Sequence, residues 1–147
     1  MKKSDIAVDI FNNGFNCAQA VLSACCEKFG LDKTAALKIS CGFGGGMGRL
    51  QETCGAVTGA YMLIGLKYGQ LLKDDKAAKE KTYALVREFA KRFEERNGTT
   101  NCRELLGFDL MTCDMQVMMP KIKQICSKMV QDAAEIVEDM LFPEGVE

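Results

Sequence analysis

Residues 54–69 read CGAVTGAYMLIGLKYG, and this stretch decides the fold class. The run is apolar, opens on a cysteine and closes on a glycine, and it reads as a helix from Thr53 to Gly69. Gly55, Gly59 and Ala60 leave one side of that helix nearly bare, so a neighbouring backbone can approach closely. Each interior glycine costs about 1 kcal/mol relative to alanine, which tertiary contacts must offset. Just upstream, residues 41–48 read CGFGGGMG, five glycines in eight residues, a composition unsuited to any regular element. A glycine-rich loop therefore feeds a central apolar helix.

Working outward, the flanking segments also read as helices. Ser4 is placed to cap a first helix that ends at Asn12-Asn13-Gly14. Asn16 and Gln19 have capping-box spacing at the head of CAQAVLSACCEKF, which stops at Gly30. Asp32 caps a third helix through about Ile39. Downstream, Asp74 or Asp75 opens a long helix to about Arg96, with Thr82, Leu85, Val86, Phe89 and Phe93 inward and a charged outer face. A short helix, CRELL, follows Asn101. Residues 108–119, FDLMTCDMQVMM, carry no clear pattern, and Pro120 suits the first turn of a last helix. The inner face of that helix is Ile122, Ile125, Cys126, Met129, Val130, Ala133, Val137 and Met140. With no strand pattern, repeat or linker, the expectation is all-α: a compact single-domain helical bundle over residues 1–147.

Bulk composition narrows the function. Apolar residues make up 48% and charged residues 27%, a globular balance, and the formal net charge is −1. Without a basic block, nucleic-acid binding is not expected. The longest apolar run, 13 residues from Cys54 to Leu66, is short of the roughly 20 that a spanning helix needs. The N-terminus lacks a signal-peptide core, so a cytoplasmic location without membrane insertion is expected. There is no histidine, which removes His general bases, Cys-His pairs and mixed Cys/His zinc sites. No C-x-x-C occurs either, so thioredoxin, zinc-ribbon and ferredoxin signatures are missing.

Eight cysteines remain to be explained: Cys17, Cys25, Cys26, Cys41, Cys54, Cys102, Cys113 and Cys126. Free cysteine is among the most buried residue types, so about half are expected to be plain core. Three share one setting. Cys17 follows Asn16, Cys54 follows Thr53 and Cys102 follows Asn101, so each is expected at the first position of a helix behind a capping residue. Partial positive charge and unpaired N–H groups there favour a thiolate. Cys126 lies mid-helix on the inward stripe, where those helix starts could converge. Cys25 and Cys26 read as structural. Cys41, between a helix and the glycine loop, is the best fifth candidate. The loop itself, with Gly44, Gly45 and Gly46, and Gly55 beyond it, offers backbone N–H groups to sulfur or sulfide. A tight connection forced by packing accounts for those glycines equally well.

The run GFGGGMGRLQETCGAVTGAYMLIGLKYG at residues 42–69, with NCAQAVL upstream and NCRELLGFDL and a late cysteine downstream, resembles the C_GCAxxG_C_C family. These are helical proteins of about this length to which redox activity is ascribed, recognised by four cysteines and a CGAxxG motif. Nearly the whole chain is covered. Carried over, the four positions are Cys17, Cys54, Cys102 and Cys126, with Cys41 and Cys113 as alternatives to the first and last. Redox chemistry is implied, without a particular substrate.

Three functions are consistent with these residues. In the first, Cys17, Cys54, Cys102 and Cys126 form a four-thiolate redox site. It either holds an iron–sulfur cluster for electron transfer or cycles between dithiol and disulfide without a cofactor. The protein would then be an oxidoreductase or electron-transfer protein serving an unidentified redox partner. In the second, the same four hold a structural zinc ion. In the third, the chain is a cofactor-free helical interaction module with inert cysteines. The close-packing face of the central helix also suits a homodimer seam.

Overall fold

The computed structural model describes residues 2–143. The chain is all-α. In order the helices are α1 (Lys3–Asn12), α2 (Cys17–Cys25), α3 (Lys33–Ser40), α4 (Gly55–Tyr68), α5 (Lys76–Asn97), α6 (Cys102–Leu106) and α7 (Met115–Leu141). Short 3-10 turns extend α2 over Cys26–Phe29 and α3 over Cys41–Phe43. Among the described residues there is no strand, only an isolated antiparallel bridge between Thr53 and Asn101. Among the described residues, no helix is long and apolar enough to cross a membrane.

Helix α4 is the axis of the core. Ala56, Val57, Ala60, Leu63 and Ile64 are fully buried on it. Its bare side is covered by α2: a β-carbon on Gly59 would lie 2.9 Å from the Ala18 carbonyl oxygen, and one on Gly55 would lie 3.1 Å from the Ala18 nitrogen. The face that suggested a dimer seam is therefore occupied from within the chain. Helix α5 buries Phe89 and Phe93 and leaves most of its surface in water. Helix α7 packs its second half, including Val130, Ala133 and Val137, into the same core.

Three expected helix starts fall elsewhere. Helix α1 begins at Lys3, with Ser4 buried inside it rather than capping it. Helix α7 begins five residues before Pro120, because the Asp114 carboxylate accepts from the N–H groups of Gln116 and Val117. Pro120 is therefore the sixth residue of α7, inside the helix, and the Gln116 carbonyl goes without the N–H it would otherwise accept from. Cys54 is itself the N-cap of α4, since Thr53 is held in the bridge to Asn101.

Candidate functional site

Each cysteine of the candidate set is placed by a different local device. Asn16 caps α2 in a complete capping box: its side chain accepts from Gln19 N–H at 3.0 Å, and the Gln19 side chain accepts from Asn16 N–H at 3.0 Å. Cys17 follows as the first helical residue. The Thr53–Asn101 bridge fixes the next two. Cys54 N–H donates to Thr100 at 2.8 Å and Cys102 N–H donates to Glu52 at 2.6 Å. Cys102 then opens α6 behind a satisfied Asn101 cap. Cys126 comes from α7, on a stripe formed by Met115, Met119, Ile122, Cys126 and Met129. Spacings of four and three residues put those five on one helix face.

All four cysteines line one cavity of about 420 Å³. Gly45, Gly46 and Gly55 line it too, whereas Gly44 packs against the Asn16 side chain instead. Cys41 is exposed and Cys113 half-buried, and neither borders the cavity. The Cys113 thiol donates to the Leu110 carbonyl at 3.9 Å and to the Met115 sulfur at 3.6 Å. Cys25 and Cys26 are core, as expected.

The glycine loop does something that composition alone did not reveal. Gly45, Gly46, Met47, Gly48 and Arg49 run consecutively at φ between 60° and 70°, a left-handed turn. L-residues other than glycine pay about 1–2 kcal/mol for this conformation, and Met47 and Arg49 adopt it. Gly46 shows the packing reason: a β-carbon there would lie 2.6 Å from the Cys102 β-carbon and 2.7 Å from the Gln51 α-carbon. The turn thus brings bare backbone against a cysteine of the cavity wall.

Gln51 is a residue that sequence reasoning missed. It is buried, sits at φ +57°, donates to the Phe108 carbonyl at 2.9 Å and accepts from Leu110 N–H at 2.8 Å. Its side chain also faces Cys102 and partly opposes the burial that raises that thiol. Its partners lie 57 and 59 residues away, so no local pattern could flag it.

Residues 15–140 match the family described as "putative redox-active protein (C_GCAxxG_C_C)". The chain belongs to the C_GCAxxG_C_C family. No curated protein and no solved structure matches it. In this C_GCAxxG_C_C protein, the cysteines brought by four separate elements, with three of the glycines, share a single cavity.

The acidities of these thiols reverse the expectation drawn from the helix starts. Burial pushes the Cys54 thiol up to about 12; the Ala56 and Val57 N–H groups oppose this without closing a full side-chain cap. Burial likewise raises Cys102 to about 11, helped by the nearby Cys126. Cys17 is raised well above the ordinary 9.0, first by the neighbouring Cys126 side chain and then by burial. Cys126 alone is lowered, and the neighbouring Cys17 side chain is the cause. Desolvation thus outweighs the helix N-terminus at the three helix starts, and the favoured thiolate lies mid-helix.

Single-ion metal binding fares poorly on geometry. Among the described residues, no three Cys, Asp or Glu side chains come together closely enough to hold a metal ion. A tetrahedral zinc site needs four sulfurs about 2.3 Å from one centre.

Proposed function

We propose that this C_GCAxxG_C_C protein is a thiol–disulfide redox protein whose exchanging pair is Cys126 and Cys17. One observation carries the reading: Cys17 and Cys126 line one open cavity, near enough to shift each other's acidity in opposite directions. Cys126 as thiolate attacks one sulfur of a disulfide RS–SR′. That S–S bond breaks, R′S⁻ leaves and takes a proton, and Cys126 is joined to RS in a mixed disulfide. Cys17 then attacks the Cys126 sulfur, RS⁻ leaves and takes the proton that Cys17 gives up, and a Cys17–Cys126 disulfide remains. Two thiols have lost two electrons and two protons to one disulfide. A dithiol reductant reverses the sequence. Cys54 and Cys102, held protonated at neutral pH, stay out of the exchange.

A second reading is favoured by the number of sulfurs. Cys17, Cys54, Cys102 and Cys126 supply an all-thiol donor set from four separate elements around a shared cavity. That set fits an iron–sulfur cluster better than a single ion, because a cluster spreads its ligands around a larger body. Such a cluster would supply one-electron transfer.

The deciding experiment uses protein purified without oxygen. On the exchange reading it holds no stoichiometric iron or sulfide. A small disulfide then lowers its mass by two hydrogens, and peptide mapping finds Cys17 joined to Cys126. Iron with matching sulfide, and a visible band lost on reduction or in Cys54→Ser, would replace exchange with electron transfer. A disulfide formed elsewhere, or none, would sink the exchange reading.

A further inference from the structure

The cavity wall has a charge asymmetry that the exchange reaction does not by itself require. Arg49 from the left-handed turn and Lys123 from α7 both line the cavity, and both are exposed. No acidic side chain lines it among the described residues, and neither cation is in an ion pair there. This is unusual for a chain with a net charge of −1 and slightly more acidic than basic residues. Arg49 is also held at φ +68°, a strained backbone for arginine, and its stem packs over Gly45. The rest of the wall is largely apolar: Phe11, Phe15, Leu106, Leu110, Met119 and Ile122. Cys17, Cys54 and Cys102 are each less than a tenth exposed, too recessed for a flat protein surface to reach. A volume of about 420 Å³ falls in the range of small-molecule sites.

We infer that the cysteine cavity takes small anionic disulfides. The negative group of the ligand lies against Arg49 and Lys123, its apolar body lies along the cavity wall, and its sulfur reaches Cys126. This substrate class rests on the exchange reading given above. The chemistry is that of the exchange already written, the ligand supplying the RS–SR′ bond that breaks.

The test separates anion recognition from exchange. Reduced protein is alkylated at one pH and low ionic strength with iodoacetate or iodoacetamide, and each cysteine is followed by peptide mass spectrometry. Exposed Cys41 serves as the internal reference. The iodoacetate-to-iodoacetamide rate ratio at Cys126 should exceed that at Cys41 by about tenfold, the lower end of electrostatic focusing. It should fall toward the Cys41 ratio in high salt and in the Arg49→Asn, Lys123→Gln double variant. Asparagine is chosen because it tolerates left-handed backbone, and Lys123→Gln alone, on an exposed helix position, provides a second variant. Equal ratios at the two cysteines overturn the inference. Oxidation is then compared with dithiodiglycolate, which is anionic, and bis(2-hydroxyethyl) disulfide, which is neutral. A clear advantage for the anion supports the inference. If the neutral disulfide forms the Cys17–Cys126 bond as fast, exchange stands and the anion preference falls. If neither disulfide forms it, exchange falls and this substrate class with it, whatever the alkylation ratio. If neither alkylating reagent reaches Cys126, the cavity does not admit small molecules and both readings fall.

Discussion

Helix α2 carries cysteine at both ends, and the two ends have different company. At its start, Cys17 meets Cys126, Cys54 and Cys102 around an open cavity. At its end, Cys25 and Cys26 sit in packed core; Lys3 and Glu138 are the charges that act most on Cys25, and the Cys26 thiol donates only to the Ser23 carbonyl, at 3.8 Å. Acidity alone does not tell the ends apart, since burial lifts Cys25 and Cys54 alike to about 12. Nor does exposure, which is 9% for Cys17 and 2% for Cys25. What differs is convergence: four thiols open onto one cavity at the first end, whereas at the second Cys25 alone borders a smaller one, beside Lys3, Glu27 and Lys28. In a cysteine-rich helical protein, the grouping of thiols is a better guide to a site than the state of any one of them.

The strongest way to break this contrast is to remove sulfur from each end. Cys126→Ser should abolish disulfide-driven loss of two hydrogens from the protein, whereas Cys25→Ser should leave it intact. Mass spectrometry after treatment with a small disulfide reads both variants. Equal loss of exchange in the two would show that the ends do not differ in function.

Alkaline pH probes what the ends have in common. Cys54 and Cys25 keep their protons in the folded chain to about 12, while an unfolded thiol loses its proton near 9.0. Between those values the folded state binds more protons than the unfolded, so stability is full below pH 9 and falls as pH rises toward 12. Each pKa unit is worth about 1.4 kcal/mol, so Cys54 alone accounts for on the order of 4 kcal/mol across the window. Denaturant titrations from pH 8 to 11 should show a shallower decline in Cys54→Ala and in Cys25→Ala than in the parent. A decline of unchanged slope in both variants would remove burial as the cause of the raised thiols.

The helical class and most helix boundaries were legible because apolar periodicity and caps act locally. The four cysteines were legible as a set through the caps before Cys17 and Cys102, the inward stripe of Cys126 and the family motif at Cys54. Three things were hidden, each a product of tertiary structure. The Thr53–Asn101 bridge joins segments nearly fifty residues apart, so Cys54 became a cap instead of the residue behind one. Desolvation depends on what finally covers a thiol, and it overrode the helix-start effect that the sequence suggested. Left-handed backbone at Met47 and Arg49 goes against residue preference, so no composition rule predicts it.

Glycines sharpen the comparison from the backbone side. Gly46 stands at φ +66° with its missing β-carbon pointed at Cys102, whereas Gly59 lies in a regular helix against Ala18. Gly46→Ala meets both a conformational penalty and overpacking against backbone that cannot swing aside. A loss of about 3 kcal/mol in chemical denaturation is expected from the two together, with a change in Cys102 alkylation. Stability within error of the parent would mean that the turn relaxes freely and does not shape the cavity wall.

The smallest effect belongs to Asn16, which closes the cavity end of α2 much as Gly30 closes the other. Gly30 does so with left-handed backbone alone, and Asn16 does so with a side chain. That side chain accepts from Gln19 N–H and donates to the Cys41 carbonyl at 2.9 Å, tying the helix start to the glycine loop. Asn16→Ala should cost about 1 kcal/mol, the usual price of a lost cap. Asn16→Asp keeps the acceptor and should recover most of that stability while losing the link to Cys41. If the link helps aim Cys17 at Cys126, both variants weaken the contact that lowers Cys126. The pH midpoint of Cys126 alkylation should then rise toward the ordinary thiol value in each. A midpoint that moves in Asn16→Ala but not in Asn16→Asp would assign the aim of Cys17 to the cap itself. An unmoved midpoint in both would show that the rest of the cavity wall holds the pair in place.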